Sequence, residues 1–260
     1  MSGMDTVWVE RPWGRLRVYV SGSGPAVLAL HGLGGSGRYW EGLARKMGGE
    51  VTIIAPDLAG FGGSDQPDVA YDRGFHLDNL DAIVAAMGVA PPRTAVGHSM
   101  GGILAALWTA RHPLQVRSLA LVASPYPKAR VPRRESGPAR RLAQRAWQTV
   151  WPLITLPYRS SVYPRGVIVD YARHTPNSYW RTSYALIWDP AIVDELAPLR
   201  SVQQRRLLLY ARDDRQVPLS AQDKWARLLP GAECAVVEHG GHQLLLVSQF
   251  APLVDWITRG

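Results

Sequence analysis

Gly97-His98-Ser99-Met100-Gly101-Gly102 joins an apolar run, Arg93-Thr94-Ala95-Val96, to the helix-forming run Ile103-Leu104-Ala105-Ala106-Leu107-Trp108. The spacing predicts a strand, a sharp turn carrying Ser99, and a helix. A G-x-S-x-G turn in that setting forces its serine into a strained backbone conformation, and only glycine-sized neighbours leave room for it. The serine hydroxyl is then lifted above the sheet, and the amide of Met100 points to where the oxygen of an attacked carbonyl would sit. Taken alone, the same residues also describe a glycine-rich strand-to-helix turn of any parallel α/β protein. The remainder of the chain separates the two readings.

Outward from this turn, strand-like and helix-like stretches alternate, the pattern of a mainly parallel sheet covered by helices on both faces. Val7–Glu10 and Arg15–Val20 read as an opening hairpin around Pro12-Trp13-Gly14. Ala26–Leu30, Val51–Ala55, Ser118–Val122 and Arg206–Tyr210 are apolar runs suited to buried central strands, and Ala235–Val237 continues the series. Helices are expected near Tyr39–Met47, Leu77–Met87, Gly101–Arg111, Ser220–Leu229 and Leu244–Thr258. The alternation breaks once. From Pro125 to Arg200 the chain is proline-rich and aromatic, with Trp147, Trp151, Tyr158, Tyr163, Tyr171, Tyr179, Trp180, Tyr184 and Trp188. This segment reads as a helical insertion between two sheet strands, most of its aromatics packing against the body. The expected division is a core of residues 1–124 and 201–260 with an insertion at 125–200.

A serine hydroxyl needs a base to take its proton, and the base needs an acid to orient it. Both are available at strand ends after the insertion. Leu207–Tyr210 runs into Ala211-Arg212-Asp213-Asp214, and Ala235–Val237 runs into Glu238-His239-Gly240-Gly241-His242. Carboxyl ends of parallel strands meet on one edge of an open sheet. That edge thus receives Ser99, an aspartate (Asp213 or Asp214) and a histidine (His239 or His242). Another glycine-rich loop, His31-Gly32-Leu33-Gly34-Gly35, closes the first central strand. Its Leu33 amide is expected to join that of Met100 in binding an oxyanion. The phosphate-loop and dinucleotide glycine patterns are both absent, so the loop is not read as a nucleotide site.

Together these pieces resemble the α/β-hydrolase superfamily over nearly the whole chain. The matching motifs are His31-Gly32, Asp57-Leu58-Ala59-Gly60-Phe61-Gly62-Gly63-Ser64, Gly97–Gly102, Asp214-x-x-Val217-Pro218 and Gly241-His242. The resemblance implies an eight-stranded, mostly parallel sheet with a helical lid inserted after the sixth strand. It selects Asp214 over Asp213 as the orienting acid and His242 over His239 as the base. It implies that Asp57, Ser64 and His31 shape the loops beside the site. The triad motifs are similar to those of carboxylesterases and of the C–C hydrolases of meta-cleavage pathways. The implied chemistry is cleavage of an ester, thioester or activated C–C bond. The fold also hosts lyases and cyclases that keep the triad, and ligand receptors in which the triad serves binding.

The formal charge of +8 is uneven, with twelve Lys/Arg against five Asp/Glu between Ser124 and Arg200. Such a segment suits an acidic or carrier-bound acyl substrate, and Arg181 beside Trp180 is a candidate carboxylate clamp. The plainer alternative is a solvated arginine-rich surface. No zinc-finger, RNA-binding or basic heptad pattern accompanies the charge, so a nucleic-acid partner is not expected. Nor is a membrane partner, since no apolar run approaches bilayer length. No metal-ligand spacing is present, and neither metal nor cofactor is expected. His98 is expected to pack or bond to a loop, Asp213 to be a solvated turn residue, and Cys234 to be a small buried side chain. A single cysteine and no leader-like opening read as cytoplasmic. The expected assembly is a monomer or homodimer.

Overall fold

The structure is a computed structural model that describes residues 3–128, 165–171, 173–245 and 250–259. Among the described residues there are eight strands: β1 (Asp5–Arg11), β2 (Gly14–Ser21), β3 (Ala26–Leu30), β4 (Thr52–Pro56), β5 (Thr94–His98), β6 (Ser118–Val122), β7 (Arg205–Ala211) and β8 (Glu233–Val237). They form one sheet in the order β1-β2-β4-β3-β5-β6-β7-β8. β1 and β2 make an antiparallel hairpin, and β2 runs antiparallel to β4. Every pairing from β4 through β8 is parallel.

Around the sheet lie α1 (Glu41–Met47), α2 (Arg73–Ala86), α3 (Met100–Arg111), α4 (Arg165–Tyr171), α5 (Pro176–Leu186), α6 (Ile192–Glu195), α7 (Ser220–Leu228) and α8 (Ala251–Thr258). Successive strand residues point to opposite faces, so each central strand feeds two cores. Leu28 and Leu30 of β3 join Leu80 and Ile83 of α2, Leu104 and Trp108 of α3, and Trp225 of α7. Val27 and Ala29 join Leu43 and Met47 of α1, with Leu253 and Trp256 of α8. This two-sided burial explains why β3, β4 and β6 are apolar at almost every position.

Local sequence sets the helix ends. Asp72 accepts the amide of Phe75 at 2.8 Å to start α2. Thr175 and Ser178 form a capping box on α5, with Pro176 in the first turn. Two expectations are corrected. The last helix begins at Ala251 rather than Leu244, because Pro252 is tolerated only in a first turn; residues 246–249 lie outside the described residues. Cys234 is exposed, not buried. β8 is the last strand of the sheet, and Cys234, like Val236 on the same face, is left exposed.

Helices α4, α5 and α6 fall between β6 and β7, where the helical insertion was expected; Trp147, Trp151, Tyr158 and Tyr163 lie outside the described residues. α4 is tied to the body by charge. Arg17 of β2 donates from Nε to Asp57 at 2.6 Å and from Nη2 to Asp170 of α4 at 2.9 Å. α5 is tied by hydrogen bonds, its Ser178 hydroxyl donating to the Gly60 carbonyl at 2.8 Å.

Candidate functional site

β5 ends at His98, and Ser99 then adopts φ 54°, ψ −125° before α3 begins. A side chain at this φ is strained. Three backbone hydrogen bonds hold the serine there: its amide donates to Val122 O at 2.8 Å, and its carbonyl accepts from Gly102 N and the Ser124 hydroxyl, each at 2.9 Å. The flanking glycines are dictated by contact. A Cβ on Gly97 would stand 2.0 Å from Gly101 O, and one on Gly101 would stand 2.4 Å from the Leu30 and His31 carbonyls. Helix α3 is thus laid directly on β3 and β5, and no larger residue fits between them.

The strand ends meet as the parallel topology requires. His242 Nε2 lies 2.9 Å from Ser99 Oγ, and His242 Nδ1 lies 2.9 Å from Asp214 Oδ2. The other oxygen of Asp214 accepts the amides of Gln216 and Val217 at 2.7 and 2.9 Å. Those bonds orient the carboxylate as an acceptor, so Nδ1 of His242 carries the proton and Nε2 faces the Ser99 hydroxyl as an acceptor. The Asp214 side chain is fully buried and that of His242 is 9% exposed, which keeps water from competing for these bonds.

Met100, wholly buried, opens α3, and its amide has no carbonyl partner within the helix. Opposite it runs the loop of Gly32, Leu33 and Gly34. A Cβ on Gly32 would come 3.1 Å from Ser99 Cβ, so the loop passes immediately beside the serine. The amide of Leu58 donates to His31 Nε2 at 3.0 Å, which leaves the proton on Nδ1, and Nδ1 donates to Gly32 O at 2.8 Å. Burial lowers the His31 pKa to about 4, the Gly32 bond opposing it only in part. His31 is therefore a neutral strut of this loop. Asp57 is a second strut, accepting Gly37 N and Gly63 N, each at 2.7 Å. Ser64 donates to Asp57 O at 2.7 Å.

Residues of α4, α5 and the turn between them lie against the loop. Gly34 (φ +77°) has no room for a side chain because Tyr171 lies 2.7 Å from its would-be Cβ. The Tyr171 ring meets His174 at 5.3 Å between centroids, and His174 meets Tyr179 at 5.0 Å and Phe61 at 6.3 Å. Trp180 packs between Tyr179 and Tyr184 at 5.4 and 6.3 Å. Arg181 turns to the body and donates to Asp68 Oδ1 at 2.7 Å. It lines an outer groove of about 800 Å³ together with Arg73, Tyr184, Asp189 and Glu195.

Two residues with no assigned role in the triad or oxyanion loop also touch the site. Asp213 accepts Gly241 N at 2.8 Å and Gly240 N at 3.3 Å, tying down the loop that carries His242. His98 donates from Nε2 to His242 O at 2.7 Å. A loop bond was expected for His98, but local sequence names no partner for it, and Asp213, expected to be only a solvated turn residue, grips the loop instead, because each partner lies at the end of a different strand. Among the described residues no group of His, Cys, Asp or Glu side chains gathers as a metal-ligand set, and no helix is long and apolar enough to cross a membrane.

The chain is similar to proteins of known sequence and structure. An uncharacterised protein of Mycobacterium tuberculosis is 35% identical over 105 residues, 40% of this chain, and this match spans about 30% of that protein's length. A 2-hydroxymuconate semialdehyde hydrolase of Pseudomonas putida is 27% identical over 268 residues, covering 93% of this chain and 89% of its own. An esterase from Exiguobacterium antarcticum superposes with a TM-score of 0.78 at 17% identity over 98% of both chains, a likeness of fold alone. The family model described as alpha/beta hydrolase fold matches residues 25–249, and this chain belongs to that family.

Proposed function

We propose that this protein is a serine hydrolase that cleaves a small-molecule ester, thioester or activated C–C bond. The observation that carries the reading is the unbroken line from Asp214 through the His242 ring to Ser99, with both gaps at 2.9 Å. His242 Nε2 takes the proton as Ser99 Oγ attacks the carbonyl carbon. The amides of Met100 and Leu33 receive the oxygen that becomes negative, a contribution of about 3–4 kcal/mol for each well-placed donor. Asp214 stabilises the imidazolium while it exists. His242 then hands the proton to the leaving group, and water, deprotonated by the same nitrogen, releases the acid and restores Ser99.

The aromatic rings of Phe61, Tyr171, His174 and Tyr179 beside the oxyanion loop support a small, largely apolar acyl group. Residues 125–200 are assigned as the lid over a core of 1–124 and 201–260. Trp180 and Arg181 belong to the substrate side of that lid. Arg181 would serve an acidic or carrier-bound substrate by exchanging Asp68 for the substrate carboxylate. The chain is assigned to the cytoplasm as a monomer or homodimer acting without cofactor.

The test is release of p-nitrophenol from p-nitrophenyl butyrate. Ser99→Ala should lower turnover by about a millionfold with the fold intact, and equal turnover in that variant overturns the reading. A single stoichiometric burst without further turnover would point to a ligand receptor. Arg181→Ala should raise KM for a carboxylate-bearing ester and leave a neutral ester unaffected.

A further inference from the structure

His98 precedes the candidate nucleophile, yet its side chain reaches the histidine 144 residues further on. The acceptor is the main-chain carbonyl of His242 at 2.7 Å. A carbonyl only accepts, so the proton sits on His98 Nε2. The other nitrogen faces the oxyanion loop, where a Cβ on Gly32 would stand 3.0 Å from Nδ1. The ring stacks on Tyr39, with centroids 4.4 Å apart and planes 20° from parallel, and lies 5.0 Å from the His242 ring. The side chain is 2% exposed. Burial, with His242 beside it, holds its pKa well below the ordinary histidine range, so the ring stays neutral, and the carbonyl acceptor selects the Nε2–H tautomer.

The loop bearing His242 needs such a hold. Gly240 and Gly241 precede it at φ 134° and 55°, conformations glycine adopts at an entropic cost that leaves the segment pliable. Asp213 grips those two amides, and Asp214 grips the ring. His98 grips the peptide of His242 from the remaining side.

We infer that His98 is a positioning residue: by donating Nε2–H to the His242 carbonyl it sets the base over Ser99 and couples that base to the oxyanion loop. The inference rests on the hydrolase reading for its kinetic consequence but not for the bond itself. Gln places an N–H at nearly the reach of imidazole Nε2, Asn places one too short, and Leu fills the space with no donor. His98→Leu should lower kcat on p-nitrophenyl butyrate by about 10- to 100-fold, with KM within about threefold, since a shift of about 1 Å in a reacting group costs that much. His98→Gln should recover most of the loss, and His98→Asn should not. A residue that merely fills the core would give equal losses in Gln and Asn, tracking their melting temperatures.

A second readout needs no substrate. Low-field proton NMR reports the Nδ1–H of His242 shared with Asp214. That resonance should persist in His98→Gln and broaden away in His98→Leu and His98→Asn. Wild-type kcat and resonance in folded His98→Leu, or Gln no better than Asn, overturns the inference; so does absence of the resonance from the wild-type protein. If His98→Leu fails to fold, the comparison of Gln with Asn decides alone. A wild-type protein without ester turnover sinks the hydrolase reading, and the resonance still decides the role of His98.

Discussion

The carboxylate of Asp213 accepts the Gly241 amide at 2.8 Å, while the adjacent Asp214 receives the His242 ring at 2.9 Å. Two consecutive aspartates thus hold one loop at two points, one by its backbone and one by its side chain. The Gly241 amide also draws the Asp213 pKa below the ordinary carboxylate range. This grip is therefore intact above the usual aspartate pKa and is lost only as pH falls through the lower folded value. Asp213→Ala should lower kcat by about 3- to 30-fold through loss of loop position. Asp214→Asn, which sets the wrong tautomer, should lower it by about 10⁴-fold. Steady-state kinetics on one ester compares the pair, and equal losses would contradict the separation of roles.

Three buried histidines make acid the weak side of this fold. Burial lowers His31 and His76 to about 4 each and holds His98 well below its ordinary value. The unfolded chain binds protons at these positions near pH 6.5, whereas the folded chain does not. Stability from this source is complete above about pH 6.5 and falls as pH drops towards 4, each group contributing about 1.4 kcal/mol per pH unit. His76 lies away from Ser99, bonded through Nε2 to the Thr182 hydroxyl at 3.0 Å. His76→Gln keeps a hydrogen-bonding group there without a titrating ring. Urea unfolding between pH 5 and 6.5 should show proton uptake reduced by about one in that variant.

Gly97→Ala tests the steric origin of the turn. Its Cβ would lie 2.0 Å from Gly101 O, and backbone on both sides leaves nothing flexible to yield. The variant should lose about 4 kcal/mol or more, read as a collapse of the urea midpoint or as insoluble protein. A stable Gly97→Ala protein would mean that α3 does not press on β5 as described.

Arg17 bridges Asp57, whose side chain is fully buried, and Asp170, 4% exposed. Removing the cation leaves Asp57 buried with only its two amide donors, and leaves Asp170 to Arg38, whose Nε lies 3.2 Å from Asp170 Oδ2. Arg17→Met should cost about 3–5 kcal/mol, measured by denaturant titration, and adding Asp170→Asn should restore part of it. If the double variant is no better than the single, the bond between α4 and the body contributes little.

Much of the sheet was legible because its strands are buried on both faces and so read as unbroken apolar runs. Ala26–Leu30 and Ser118–Val122 are observed at the expected bounds. Where burial is one-sided the reading failed. Cys234 sits in an apolar run, yet β8 ends the sheet and leaves it exposed. The final helix was read too long because the apolar Leu244 and Leu245 are buried in a turn, where they mimic the start of a helix.

By itself the sequence determined the element order, the strained serine turn, and the strand ends that carry Asp214 and His242, because these follow from local sterics and hydrophobic periodicity. Only the tertiary structure decided that Asp213 and His98 secure the His242 loop, that Arg17 joins α4 to β2, and that Arg181 meets Asp68. Those contacts join residues distant in the chain, and no local propensity records which charged or polar groups the packing of separate elements will bring within hydrogen-bond reach.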